Sequence, residues 1–297
     1  MKRYSLYIPM LALLAVSCAK VKVPKADLTV TTSSLTYKAG DTVTFQFAGN
    51  PDNITFYSGE VGRNYDYRTR TKADNSLQID FKSFVSFSPI YQNLQLMVSN
   101  NFNGTVDAAN VSAATWTDIS QLATFSAGAD NVASGVIDLR PYLGNAETPN
   151  VYVAFRYTEP ARTTGQNRWV IRSFNADLVT PEGQLTNLAQ MATGGWKSVD
   201  FKNPAAVWTI TSAQLLMYGG AGNVAENEDW VISKPLVVSK SIQPDAGLAL
   251  KNISKTMSSY QHVYKTPGTY KAVFVSSAIR YNGENSQTQE LTFTITP

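Results

Sequence analysis

Two residue types that carry much enzyme chemistry are nearly missing from this chain. Its 297 residues include one cysteine, Cys18, and one histidine, His262. A lone cysteine excludes an internal disulfide and any thiolate metal cluster. A lone histidine makes any Ser–His–Asp triad depend on His262, and no G-x-S-x-G elbow stands ready to serve it. Zinc would find only carboxylates beside that imidazole, which is a poor set for it. Charge is also scarce. Charged residues make up 16% of the chain and the formal net charge is +3, of which Lys2 and Arg3 supply two. That balance excludes a basic face of the nucleic-acid type. Beyond the N-terminal run, no apolar stretch approaches the roughly 20 residues of a spanning helix.

The first thing present is a leader. Lys2 and Arg3 precede an apolar run, Leu6 to Val16, broken only by Pro9. Ala15-Val16-Ser17 then places small or modest residues before Cys18. This is the layout of a secretory signal, and the cysteine at the cut makes it a bacterial lipobox. The preferred leucine three residues before the cysteine is Ala15 here, with Leu14 one place further back. The expectation is a signal peptide over 1–18, lipidation at Cys18, and a short Lys- and Pro-containing tether over 19–26. Several acyl chains on one cysteine hold a protein firmly to a membrane. The expected location is therefore the outer membrane, at the cell surface or otherwise on its periplasmic face.

From Leu28 onward the pattern is β. Thr42-Val43-Thr44-Phe45-Gln46-Phe47 and Leu291-Thr292-Phe293-Thr294-Ile295-Thr296 alternate strictly, the period of a half-buried strand. Further strands are expected at 53–57, 94–99, 151–157, 169–174, 214–218 and 270–277, which are rich in β-branched and aromatic residues. Only 184–191 hints at a helix, through Leu185, Leu188 and Met191. Neither end of the chain has enough strands for a sandwich of about seven; together 27–71 and 240–297 make one such domain of about 100 residues. The interior, 72–239, is then an inserted domain.

Both parts resemble known families. Ala39-Gly40-Asp41-Thr42-Val43-Thr44-Phe45 and His262-Val263-Tyr264-Lys265-Thr266-Pro267-Gly268-Thr269-Tyr270 resemble the opening and the second half of a polycystic-kidney-disease-type (PKD) Ig-like domain. That family's W-x-F-G-D-G stretch is replaced by Phe56-Tyr57-Ser58-Gly59-Glu60-Val61-Gly62. In the interior, Ala114–Ser120, Ser134-Gly135-Val136-Ile137-Asp138-Leu139, Val151–Tyr157 and Arg168–Ile171 are similar to the galactose-binding-type jelly rolls of the cleaved-adhesin group. The whole arrangement is similar to a family of gut-bacterial outer-membrane lipoproteins that often accompany polysaccharide-uptake systems. The resemblance implies an all-β chain: a split PKD/Ig-like β-sandwich with an inserted galactose-binding-like jelly roll.

The function expected is non-catalytic glycan binding for a polysaccharide-capture system, without an enzyme activity. An adhesin or structural subunit with a protein partner is the alternative, and a glycoside hydrolase a distant third. Sugars stack their C–H faces on exposed aromatic rings, and nearby amides or charged groups read the hydroxyls. The ligand-binding candidates are Trp196, which follows Gly194-Gly195 as at a loop tip, and Tyr65 and Tyr67 with Arg63. Trp116, Trp169, Trp208 and Trp230 are expected in the core or covering it, and Arg156 and Arg168 are weaker contact candidates. A hydrolase would need two carboxylates across a cleft. Glu226, Glu228 and Asp229 cluster in one segment, with Glu147 and Glu159 elsewhere, and read as solvated loops. His262 is expected to pack or hydrogen-bond within the sandwich. No cofactor is expected. A structural calcium is the one metal considered, on Asn100, Asn101, Asn103 and Asp107 or on Asp130 and Asn131, which offer hard oxygen ligands.

Overall fold

A computed structural model describes residues 22–87, 89–219, 222 and 224–297; Cys18 and the leader lie outside them. The chain is nearly all β, 47% strand against 7% helix. It divides into two compact units, one holding the residues up to Thr69 and Pro244–Pro297, the other Arg70–Gln243.

The chain begins the first unit with β1 (Thr29–Thr31), β2 (Thr36–Lys38), β3 (Thr42–Ala48) and β4 (Asn53–Tyr57). It then builds the second unit from β5 (Ser76–Ser86), β6 (Leu94–Ser99), the short helix α1 (Ala108–Ala113), β7 (Thr117–Asp118), β8 (Val132–Ala133), β9 (Ile137–Asp138), β10 (Asn150–Glu159), β11 (Arg168–Val179), β12 (Leu185–Gln190), β13 (Lys197–Lys202), β14 (Trp208–Ile210), β15 (Leu215–Met217), β16 (Asn227–Ile232) and β17 (Leu236–Val237). It returns to the first with β18 (Leu248–Lys251), β19 (Ser259–Val263), β20 (Gly268–Arg280) and β21 (Gly283–Thr296).

In the first unit a sheet β1-β3-β19 faces a sheet β18-β4-β20-β21-β2. The alternation in β3 buries Val43 and Phe45 and leaves Thr42 exposed. Phe45 stands within 5.6 Å of Phe56 and 5.0 Å of Phe274, ring centre to ring centre. Each of the large fully buried side chains contributes about 1.5–3 kcal/mol by leaving water. Half of the core comes from each end of the chain: Phe45 and Phe56 from one, Phe274 and Phe293 from the other. β3 pairs with β19 from Gln46↔Ser259 to Thr42↔Val263, and β4 pairs with β20 from Tyr57↔Val273 to Asn53↔Ser277. His262 lies on β19 with Nε2 2.8 Å from Glu60 Oε2, and its ring meets Tyr264 edge-on at 4.6 Å. Tyr264 is fully buried and donates its hydroxyl to the Ser58 carbonyl at 2.9 Å.

In the second unit a sheet β13-β16-β10-β6-β7, with β17 added to β10, faces a sheet β14-β15-β11-β5-β8, with β12 and β9 at its margins. Val153, Phe155 and Tyr157 of β10 point between the sheets. Tyr152 and Ala154 point outward, where Phe102, Val111 and Trp116 cover them and Trp230. On the same outer row the Arg156 guanidinium donates twice to Glu228 Oε1, at 3.0 and 2.9 Å.

Two expectations need correction here. The stretch 184–191 is a strand, β12, followed by a 3-10 turn at Met191–Thr193. It pairs with β11 from Asn175↔Gln190 to Val179↔Leu185, so an open sheet edge outweighs a weak helical spacing. Trp196 is not at a loop tip. It is 8% exposed, with its ring between the sheets 4.9 Å from Phe174 and 6.0 Å from Phe155. Gly195 adopts φ +61, a turn that glycine makes without penalty, and that turn sends the indole inward.

Candidate functional site

The remaining sequence candidates fall together in the first unit. Asn64 caps a 3-10 turn at Tyr65–Tyr67 by accepting from the Asp66 amide. Tyr65 is half-buried, edge-on to Tyr57 at 5.3 Å, with the Arg68 guanidinium 3.8 Å above its face. Arg63 is exposed and donates Nη1 to the Ala246 carbonyl at 2.8 Å. Asp66 pairs with Lys271 at 2.6 Å. The Arg68 guanidinium therefore covers one face of the Tyr65 ring.

A different constellation gathers at one end of the second unit, where the connections β5–β6, β10–β11 and β15–β16 meet. Its centre is Glu159, the last residue of β10 and 1% exposed. The carboxylate accepts from Asn93 Nδ2 at 2.6 Å, Arg162 Nη1 at 2.8 Å, the Tyr157 hydroxyl at 3.2 Å, the Asn167 amide at 3.4 Å and the Tyr91 hydroxyl. A buried carboxylate persists as an ion only with such compensation. Burial, and then the bond to Glu159, push the Tyr91 phenol up to about 12. Burial, and then the charge of Glu159, also raise Tyr157.

These partners hold the loop between β5 and β6 in shape. Asn167 Nδ2 donates to the carbonyls of Phe87 at 2.6 Å and Pro89 at 3.0 Å. Phe87 adopts φ +71, a left-handed conformation that costs a non-glycine residue about 1–3 kcal/mol and persists only when its surroundings enforce it. The result is a cluster of outward apolar side chains: Phe87 at 45% exposure, with Ile90, Tyr91 and Leu122 also exposed. The Arg168 guanidinium lies 5.3 Å from the Phe87 ring and that of Arg162 lies 5.6 Å from Tyr91. A cleft of about 410 Å³ runs between Ile90, Tyr91, Gln92, Gln121 and Phe125. Tyr91 and Gln92 also wall a second cleft of about 270 Å³, closed on its far side by Lys202 and Glu226. Apolar faces flanked by side-chain amides and guanidinium groups suit a flat ligand with hydroxyls at its edge.

The sequence signal for this end is Phe87, Pro89, Ile90 and Tyr91, a run of large apolar residues in a connection between two strands. The signal is weak, because a tyrosine or phenylalanine beside a strand reads equally as an extension of the core.

The acidic candidates are used locally. Glu226 pairs with Lys202 at 2.5 Å and Glu147 with Lys72 at 2.8 Å. Asp229 is fully buried; burial, and then the facing Asp200, push it up to about 8, while Asn227 beside it offsets part of the rise. Four of the residues considered for calcium already accept hydrogen bonds. Asn101 Oδ1 accepts from the Thr115 amide and Asn103 Oδ1 from the Thr105 amide. Asp107 caps α1 by accepting from the Asn110 amide at 2.8 Å, and Asp130 accepts from Arg172. Among the described residues, no group of three or more His, Cys, Asp or Glu side chains is placed to hold a metal, and no helix is long and apolar enough to cross a membrane.

Fold and site together define a β-sandwich protein with a ligand-sized apolar cleft at its loops. The chain belongs to the family described as Domain of unknown function (DUF5017), whose model matches residues 17–196. No curated protein and no solved structure matches it.

Proposed function

We propose that this protein is a lipid-anchored glycan-binding protein of the bacterial outer membrane, without catalysis, acting for a polysaccharide-capture system. In this reading 1–18 is the signal, Cys18 carries the lipid, the split unit is the PKD/Ig-like domain and the inserted unit is the galactose-binding-like jelly roll. The observation that supports the binding function is the exposed set Phe87, Ile90 and Tyr91 on one connection, held by Glu159 and Asn167, with Ile90 and Tyr91 lining a cleft beside Gln92 and Gln121. Fixed apolar side chains contribute contact area at little entropic cost, which is what weak sugar C–H contacts require. The carboxylates near the cleft support a non-catalytic reading, because Glu159 and Glu226 are each bound to a cation of their own chain.

Electrophoresis through gels loaded with a panel of polysaccharides tests the reading. At least one neutral polysaccharide should retard the protein, and added salt should barely change the retardation, because stacking is not screened as an ion pair is. A second reading, adhesion to a protein partner, is favoured by the β20–β21 hairpin, whose tip exposes Tyr281 at 83% and Ile279. If no polysaccharide retards the protein, that reading moves ahead. Lipidation is tested separately: Cys18→Ala should abolish palmitate labelling, and unchanged labelling would contradict the anchor.

A further inference from the structure

Behind the loop end, the interior of the second unit holds oxygen atoms with nothing to accept from. Neither carboxylate oxygen of Asp229 has a hydrogen-bond partner among the described residues, and the residue is fully buried. On β16, Asn227, Asp229 and Val231 point between the sheets, while Glu228, Trp230 and Ile232 point outward. Asp200 of β13 is the direct partner of Asp229 in the ladder, so its side chain shares the inward face. One Asp200 oxygen is also buried without a partner, and so is Asn227 Oδ1. The Asn227 amide nitrogen donates to the Ala206 carbonyl at 3.1 Å. Four unpaired oxygens from three side chains thus lie on the inward face of two neighbouring strands. The two nearby cations are engaged elsewhere, Arg156 with Glu228 and Lys202 with Glu226.

We infer that Asp200, Asn227 and Asp229 form a binding site for a hard divalent cation, calcium. Two carboxylates match its charge, and an amide oxygen adds a neutral ligand. Calcium accepts six to eight oxygens in flexible geometry, so main-chain carbonyls and water can complete the shell. Magnesium demands a stricter octahedron and gives up water reluctantly, and zinc prefers nitrogen and sulfur, which this set lacks. β13 is the edge strand of its sheet and Asp200 is only half-buried, so an ion has a way in. The site is independent of the glycan reading. It is also distinct from the Asn100–Asp107 loop, where Asn101, Asn103 and Asp107 already accept hydrogen bonds.

The test is calcium titration of the EDTA-treated full chain by calorimetry, alongside melting curves in EDTA and in calcium. One calcium should bind per chain and raise the melting temperature. Asp229→Asn should weaken binding at least about tenfold, since affinity follows the charge of the ligand set, and should remove the calcium-dependent rise. Asp200→Asn should do the same, and decides the matter if Asp229→Asn fails to fold. Asp107→Asn should leave calcium binding unchanged. Identical melting in calcium and EDTA would overturn the inference, leaving a shared proton or buried water in that space. So would a calcium response that survives Asp229→Asn or Asp200→Asn, or one that Asp107→Asn removes.

Discussion

Trp196, Glu159 and Asp52 show how one residue's environment decides its role. In sequence Trp196 follows two glycines, and the rule that glycine pairs mark exposed turns places it outside. In the fold the same glycines let the indole turn between the sheets. Trp196→Ala should therefore cost about 3–5 kcal/mol of stability, read as a lower denaturation midpoint. Glu159 reads in sequence as one more loop acid. Its partners come from residues 91, 93, 157, 162 and 167, and no local pattern announces them. Asp52 is held below its ordinary 3.8 by the hydrogen bond from Arg280 and by the Ile279 amide. A lowered carboxylate contributes stability above its unfolded pKa, and that contribution is lost as pH falls through the folded value. Arg280→Met should accordingly destabilise the first unit at neutral pH. The gap in melting temperature from the wild type should shrink below about pH 4; a gap constant from pH 7 to pH 3 would contradict the assignment.

Among the elements, the strands were the legible part. The period-2 runs at 42–47 and 291–296 are β3 and the end of β21, because a buried face imposes alternation that composition alone can display. The error at 184–191 has a physical source: β11 offers unpaired backbone groups along its edge, and satisfying them is worth more than the helical spacing of three apolar residues. The loop end was less legible, because its shape is enforced from a distance. Asn167 fixes the carbonyls of Phe87 and Pro89, and neither residue type nor spacing reveals an 80-residue reach. Asn167→Ala should release that loop, raising amide exchange around Phe87, Ile90 and Tyr91. Glu159→Ala should go further, because breaking a buried ion pair costs about 3–5 kcal/mol and Asn93, Arg162, Tyr91 and the Asn167 amide lose an acceptor. Equal protection of the β5–β6 connection in wild type and Asn167→Ala would show that the loop is held by something else.

For the whole molecule, the defining feature is a unit assembled from the two ends of the chain. β3 and β4 pair with β19 and β20 more than 200 residues later, so the first unit cannot close until the chain is complete. Deleting residues from Pro244 onward removes the strands that cover Phe45 and Phe56. It should leave 22–69 unprotected in hydrogen exchange while Arg70–Gln243 keeps its cooperative melting. The lipid anchor and the sugar cleft are proposals at this same scale. In the glycan proposal, the loop end of the second unit is where sugar is held. The most direct test of that proposal is the retardation of Phe87→Ala in a gel loaded with a polysaccharide that slows the wild type, with melting curves recorded in parallel. Phe87 is exposed and contributes little to the core, so retardation should be lost while the melting temperature stays unchanged. Retardation equal to that of the wild type would contradict the site.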